Sequence, residues 1–508
     1  MLMIHELLRR SSADHPHKEA VVCGEKRLSY LDLEESSTKL AAFLLRHGLD
    51  TGDRIGILAN KDVEETIAIF AALRSGGIMV HINPQYKAGQ LYHVISDCNI
   101  KVLFVSDSKS VVLDKACPGD GPLDMIISLT PQIAPNIARR DNVFYLEDIL
   151  NESARHETPD ASLTEDSTAS IVYTSGSTGL PKGVIVTHKI LYDSTVVSAS
   201  VLENNAADRL ISVTPFSFDG ALSQLFTACF VSGTLVLQPS TFPKDIVQTL
   251  LGERITGFHA VPSLWGILLQ ELSPFSKHEY PDLRYISIIG EVFPEQYLAN
   301  LKQVLHTTQI YMMYGTTEAF RSTYLPPEDL QRKQSCVGIP FPGVEISVVD
   351  KQNKTCKPGE VGEIVHKGLF ISPGYWNDSG VNRDIFRGDV LYTGDLGQLD
   401  DEGYLYFVGR KDGMIKVQGQ RVSPEEIEQC LYQIDGVKEA AAIGIPGDGI
   451  GSRIKVIIAP EDGACLSEKD IIRHCRSHFA SYMVPSVVEF RKGLPRTSSN
   501  KINRSELC

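Results

Sequence analysis

Small hydroxyl residues, glycines and one lysine are concentrated in a single short stretch, Thr174-Ser-Gly-Ser-Thr-Gly-Leu-Pro-Lys-Gly183. Apolar runs, Ile171–Tyr173 and Val184–Val186, flank it, so the spacing predicts strand, glycine-rich loop, strand. Gly176, Gly179 and Gly183 let the backbone turn sharply and bring its N–H groups to an oxyanion. Thr174, Ser175, Ser177 and Thr178 add hydroxyl donors, and Lys182 adds a point charge. The chemistry is that of a phosphate holder. It is not a Walker A loop, because no glycine precedes Lys182 and no Ser/Thr follows it to open a helix. A flexible polar hairpin is the bland alternative.

Further chemistry-bearing residues follow in order. Val213-Thr-Pro-Phe-Ser-Phe-Asp-Gly-Ala-Leu-Ser-Gln224 reads as a strand turning into a helix, with Asp219 at the turn. Asp219 is either a cap of the helix over Gly220–Cys229 or a ligand-facing carboxylate at a strand end. Tyr314-Gly-Thr-Thr-Glu318 puts an aromatic ring four residues before a carboxylate. Tyr392-Thr-Gly-Asp395 places an Asp after a strand, where it can accept two vicinal hydroxyls. Asn500-Lys501 closes the series.

These motifs, in this order, resemble the adenylate-forming superfamily of acyl-CoA synthetases, luciferase and peptide-synthetase adenylation domains. Residues 319–327 resemble stand-alone acid–thiol ligases found near biosynthetic clusters. The resemblance spans essentially the whole chain and implies ATP and Mg²⁺. It implies that Thr174, Ser175, Gly176, Ser177, Thr178, Gly179 and Lys182 hold phosphates. Gly290 and Glu291 pack on adenine, with Tyr314, Gly315, Thr316 and Thr317 beside it, and Tyr314 offers a flat face. Glu318 is the Mg²⁺ carboxylate, Asp395 and Arg410 reach the ribose, Asp412 is the hinge, and Lys501 closes on the adenylation site. Lys501, Lys182 and Glu318 are thus the catalytic set. Aligned on amino-acid-activating relatives, the acid pocket is lined by Asp219, Gly220, Ser223, His259, Ser287, Ile289, Met313, Arg321 and Ser322. Asp219 corresponds to the ammonium-binding Asp of a Phe-Asp-x-Ser motif, with Ala221 in place of the Ser.

The elements that must position these groups alternate along the chain. Strands at Ala20–Cys23, Arg27–Ser29, Arg54–Leu58, Ile78–Ile82 and Lys101–Val105 are separated by helical patterns over Asp62–Arg74 and Gln90–Asp97. Ser29 with Asp32 opens another helix as a capping box, and Gly48 closes it. Such repeats imply parallel sheets flanked by helices. Residues 106–168 show little periodicity and read as surface connection with one or two short elements. Beyond the loop, His188–Ser200 is helical, and Thr234–Leu237, Gly257–Val261 and Tyr285–Ile289 are strands. Residues 335–409 have the alternation of an antiparallel, barrel-like subdomain. The charged, glycine-bounded Gly409-Arg-Lys-Asp-Gly413 marks a boundary. After it, a helix opened by Ser423-Pro-Glu-Glu426 and containing Ile427, Leu431 and Ile434, strands Ala440–Ile445 and Arg453–Ala459, and a helix from Ser467 make a small α+β unit. The fold class is α/β: a large domain of two parallel-type sheets plus the small barrel-like subdomain over 1–410, hinged to a mobile domain over 411–508.

Composition is ordinary for a globular chain of 508 residues, at 43% hydrophobic and 22% charged. The net charge of −14 argues against nucleic acid as a partner. Ten cysteines carry no C-x-x-C pair and read as reduced thiols rather than a disulfide frame or zinc site. No apolar run approaches the roughly 18 residues of a membrane span. A cytoplasmic enzyme away from membranes is expected. It would activate a carboxylic acid as acyl-AMP and pass it to the thiol of CoA or of a 4'-phosphopantetheine arm on a separate acyl carrier protein. The polar pocket favours a small amino acid, aspartate-like or β-amino; an acyl-CoA ligase for a non-amino acid stays open. A non-catalytic ATP-binding relative is disfavoured by the presence of Lys501 and Glu318.

Overall fold

The computed structural model describes residues 3–119, 121–152, 163–174, 181–290, 293–333, 335–411, 413–417, 420–446, 452–479, 483–497 and 501–507. Two large sheets dominate. The first has seven strands in the order Val143–Tyr145, Met125–Ser128, Ile100–Val105, Arg54–Leu58, Ile78–His81, Thr168–Thr174 and Lys182–Thr187. All neighbours are parallel except the last pair, which is the antiparallel stem of the glycine-rich loop. The second has nine, with a parallel centre of Thr234–Leu237, Arg209–Ser212, Gly257–Ala260, Tyr285–Ile288 and Gln309–Thr316.

Between the sheets lies the Val63–Arg74 helix, buried along nearly its whole length, and its Phe70 ring meets Phe226 of the Asp219–Val231 helix edge-on at 6.0 Å. Both helices are buried on nearly all sides, as a helix packed between two layers must be. One continuous core cluster joins residues of both sheets through these helices. The Tyr30–Arg46 helix has the expected capping box of Ser29 and Asp32, and Gly48 follows its end at φ +87°.

Two expectations need correction. Residues 106–168 are not mainly surface connection. They carry the Asp107–Ala116 helix and the two outermost strands at one side of the first sheet, and all four residues of Met125–Ser128 are buried. Strands of three and four residues are too short to show a period. The strand expected from Val213 ends at Ser212, because Pro215 follows and the chain loops before the helix that begins at Asp219.

The third unit is a four-stranded antiparallel sheet, Val344–Val349, Gly362–Gly368, Val390–Leu399 and Leu405–Arg410, open at its ends. Beyond it, Val437–Pro446, Ser452–Pro460 and Val487–Phe490 form a mixed sheet packed on the helices Pro424–Leu431 and Glu468–His478. Ser423 and Ser467 cap those helices as expected; the first ends at Leu431, and Ile434 packs from the turn beyond. No described helix is long and apolar enough to cross a membrane.

Candidate active site

In open parallel sheets, ligands sit beyond the carboxyl ends of the strands. The second sheet brings there the loop before Asp219, the Ile288–Gly290 turn and the Thr316–Glu318 turn. Of the glycine-rich loop, Ser175, Gly176, Ser177, Thr178 and Gly179 lie outside the described residues, as do Glu291, Asp412 and Asn500. The loop's stem is described: Thr174 pairs with Lys182, so the loop ends are held at ladder distance. Lys182 Nζ lies 3.2 Å from Asp378 Oδ2 and 5.6 Å from the Tyr375 ring centroid.

A segment unnoticed in the sequence joins this lysine to Glu318. Residues 371–378 run along both. Ala319 bridges to Ile371, Ser372 N–H donates to the Glu318 carbonyl at 2.8 Å, and Trp376 N–H donates to the Gly183 carbonyl at 2.7 Å. The Tyr375 hydroxyl donates to Glu318 Oε1 at 2.6 Å. Burial and the Glu318 carboxylate push the Tyr375 hydroxyl far above its usual range, so it stays a donor. Gly374 makes the turn possible: its φ is +143°, and a Cβ there would meet the Asn382 side chain at 2.8 Å. The signal in the sequence was Gly374-Tyr375-Trp376, two adjacent aromatics after glycine in an otherwise polar stretch.

On the nucleoside side, Asp395 and Arg410 are directly opposed in the antiparallel register, which sets their ion pair at 3.1 Å. Tyr314 donates its hydroxyl to Asp395 Oδ2 at 2.8 Å and packs its ring 6.0 Å from Phe407. Asp395 is 4% exposed. Burial raises its carboxyl above the usual range, opposed by Arg410 and by the Tyr314 hydrogen bond. Among the described residues its Oδ1, though ion-paired with Arg410, accepts no aligned hydrogen bond, and the buried Thr316 hydroxyl has no partner. Gly315 lies so close to the Phe320 carbonyl that a Cβ would sit 3.0 Å away, and Thr317 is half-buried in the turn before Glu318. Gly290 turns with φ +108°, and its carbonyl accepts from Lys501 Nζ at 2.9 Å.

Six of the residues expected at the acid pocket, Gly220, Ser223, His259, Ser287, Met313 and Arg321, line one tight cleft with about 20 Å³ of free space, joined by Ser198, Asn204, Gln224, Thr227 and Tyr285 among others. The last five were not expected. Ile289 packs on the core, and Ser322 is turned to His366 at 2.9 Å. Asp219 stands half-exposed at the first turn of its helix, where its Oδ1 accepts the Gly220 N–H at 2.9 Å. His259 Nδ1 and Ser287 Oγ are 2.8 Å apart, and burial with Arg321 nearby lowers the imidazole to about 3, so it is neutral. A Cβ on Gly220 would sit 2.6 Å from His259 Nε2. Arg321 is 4% exposed. Its Nε donates to Ser198 Oγ at 3.2 Å and one Nη to the Phe320 carbonyl at 2.9 Å. It forms no ion pair with Asp219 or any other described carboxylate; burial lowers its pKa, and Asp219 only opposes this from a distance.

These residues fit ATP and Mg²⁺. Glu318 is a half-buried hard-oxygen donor of the kind Mg²⁺ takes singly alongside substrate phosphates. Asp395 Oδ1, ion-paired with Arg410 but accepting no aligned hydrogen bond among the described residues, keeps acceptor capacity for a hydroxyl.

Comparison with known proteins agrees. Residues 8–376 match the AMP-binding enzyme family, and 426–501 match the AMP-binding enzyme C-terminal domain. An L-proline–[L-prolyl-carrier protein] ligase of Streptomyces coelicolor is 32% identical over 495 residues, covering 94% of this chain and 91% of that protein. A long-chain-fatty-acid–CoA ligase of Salmonella typhimurium is 28% identical over 529 residues, covering 99% and 93%. Among solved structures, Bacillus subtilis o-succinylbenzoate coenzyme A synthetase in complex with ATP and magnesium ion superposes with TM-score 0.85 at 26% identity, covering 99% of this chain and 98% of that one. An anthranilate CoA ligase in complex with anthranoyl-AMP gives 0.90 at 25% identity, covering 100% and 96%. The chain belongs to the AMP-binding enzyme family and is an ATP-dependent, AMP-forming acid–thiol ligase.

Proposed function

We propose that the acid is small and carries a second carboxylate, that it is an amino acid of the aspartate-like or β-amino kind, and that the acceptor is a separate carrier protein. The observation that carries this reading is Arg321, a buried guanidinium with no carboxylate partner among the described residues. A buried charge left uncompensated costs several kcal/mol, and a bidentate substrate carboxylate would remove that cost. Asp219, next in the chain to Gly220 of the cleft lining, would take the ammonium. The proline–carrier protein ligase relative supports both an amino-acid substrate and a carrier acceptor. A tight cleft with such a polar lining is ill suited to a fatty tail.

A second reading has its own observation. Asp219 already accepts the Gly220 N–H, as a residue serving only its helix would. The substrate is then a dicarboxylic acid without an amine, and CoA is the natural acceptor.

In the first half-reaction the substrate carboxylate attacks the α-phosphorus of ATP and pyrophosphate leaves. Lys182 and Lys501 neutralise charge on the phosphoryl oxygens as it builds. Glu318, aligned by Tyr375, would hold Mg²⁺, which supplies charge neutralisation to the phosphates. Asp395 and Arg410 fix the ribose. In the second half-reaction a thiol displaces AMP from the acyl carbon. Residues 1–410 and 411–508 act as two bodies about a hinge at Asp412, since one site must serve two reactions. Pyrophosphate exchange across amino acids, β-amino acids, dicarboxylates, aryl acids and fatty acids tests the reading. Exchange confined to acids with a single carboxylate would sink it.

A further inference from the structure

Two helices of the C-terminal unit, Pro424–Leu431 and Glu468–His478, pack side by side on its sheet. Where they meet, three metal-ligating side chains converge, and the ligase chemistry uses none of them. Cys430 is buried on the first helix. His474 and His478 project from the second at i and i+4, one turn apart on one face. Their ligand atoms all lie within 4.8 Å of one another.

The two imidazoles are prepared as ligands. His478 Nδ1 lies 2.8 Å from the His474 carbonyl oxygen. That contact makes Nδ1 the protonated nitrogen and leaves the Nε2 lone pair free, which is how metal-binding histidines are held in the ligating tautomer. His474 Nε2 is buried and has no hydrogen-bond partner among the described residues.

We propose that Cys430, His474 and His478 form a metal site for a borderline-soft divalent transition ion, Zn²⁺ first, with the fourth position open to water. One thiolate and two imidazoles is a zinc donor set. A tetrahedral site has S···N edges of about 3.5 Å, so the ligands must draw together by about 1 Å. Rotation of the exposed His478 ring supplies that movement. The ion would clip the two helices together and stabilise the C-terminal unit by mass action. The absence of a C-x-x-C pair excludes only a cysteine-built zinc site; the signal is the His474-x-x-x-His478 spacing.

The test is a Co²⁺ titration of the reduced full-length enzyme, followed by near-ultraviolet thiolate-to-Co²⁺ absorption and by displacement with Zn²⁺. The wild type should bind one equivalent with a charge-transfer band that Zn²⁺ abolishes, and Zn²⁺ should raise its Tm. Cys430→Ser should lose the band. His478→Ala, at an exposed position that folding does not need, should weaken binding by at least about tenfold, the scale of losing even an outer-shell partner. Absence of a saturable band in the wild type overturns the site. So does a band that survives Cys430→Ser, or binding indifferent to His478→Ala.

Discussion

Lys501 donates from its ammonium to the Gly290 carbonyl oxygen at 2.9 Å, across 211 positions of sequence. The Thr497 N–H donates to the Lys501 carbonyl at 2.7 Å and the Lys501 N–H to Thr497 Oγ1 at 3.2 Å, so the lysine backbone is held from both sides. The C-terminal unit is thus docked with Lys501 beside the Gly290 turn, the arrangement that acyl-AMP formation would need. Lys501→Ala should slow pyrophosphate exchange by about 100-fold or more, while thiol transfer from supplied acyl-AMP stays within a few-fold. Equal loss in both half-reactions would remove Lys501 from its proposed role.

The Tyr375 hydroxyl bond to Glu318 orients the proposed Mg²⁺ carboxylate. Tyr375→Phe keeps the ring near Lys182 and deletes only the donor. A hydrogen bond to a charged group at a half-exposed position is worth about 1–2 kcal/mol. The Mg²⁺ concentration for half-maximal exchange should therefore rise roughly five- to thirtyfold, with KM for the acid unchanged. An unchanged Mg²⁺ requirement would mean that Glu318 needs no alignment.

Arg321 offers a test that separates function from stability. Replacing an unpaired buried charge by an apolar side chain of similar length is often neutral or stabilising. Arg321→Met should keep or raise Tm, yet abolish exchange with dicarboxylic acids. If it instead unfolds the protein and leaves selectivity in the residual activity untouched, the guanidinium is a wall support through Ser198.

Asp395 carries a pH signature. Its carboxyl is raised in the folded chain by burial, so the folded state holds its proton more tightly than the unfolded state. As pH rises from the ordinary aspartate value through the raised one, this group subtracts from stability, and the deficit is constant above. Asp395→Asn removes the charge and keeps an acceptor for Tyr314. The variant should melt higher than wild type at neutral pH and lose that advantage below about pH 4, while its KM for ATP rises. Parallel melting curves at both pH values would contradict the burial argument.

Asp412→Pro fixes φ near about −65°. Adenylation should survive and thioester formation fail if the two units must rotate there. Unchanged overall turnover would place the hinge elsewhere.

Much of this protein is legible in its residues alone. The strand–loop–strand around Lys182, the Ser29 and Ser467 caps, and the alternation that builds parallel sheets are local features. Each depends on side-chain type and on periods of two or 3.6 residues, and the motif order from Thr174 to Lys501 needs no more than reading along the chain. What the tertiary structure alone decided are meetings between distant residues. Met125–Ser128 becomes a buried strand because neighbours supply its hydrogen bonds, not because four residues show a pattern. Asp395 meets Arg410 through strand register, and a slip of one residue would turn the two to opposite faces. Tyr375 reaches Glu318 because residues 371–378 are threaded between the loop stem and the Ala319–Leu325 strand. Arg321 is informative only through what it lacks. Sequence shows that an arginine is present, but whether a carboxylate comes within reach of it depends on packing that couples four separate segments of the chain.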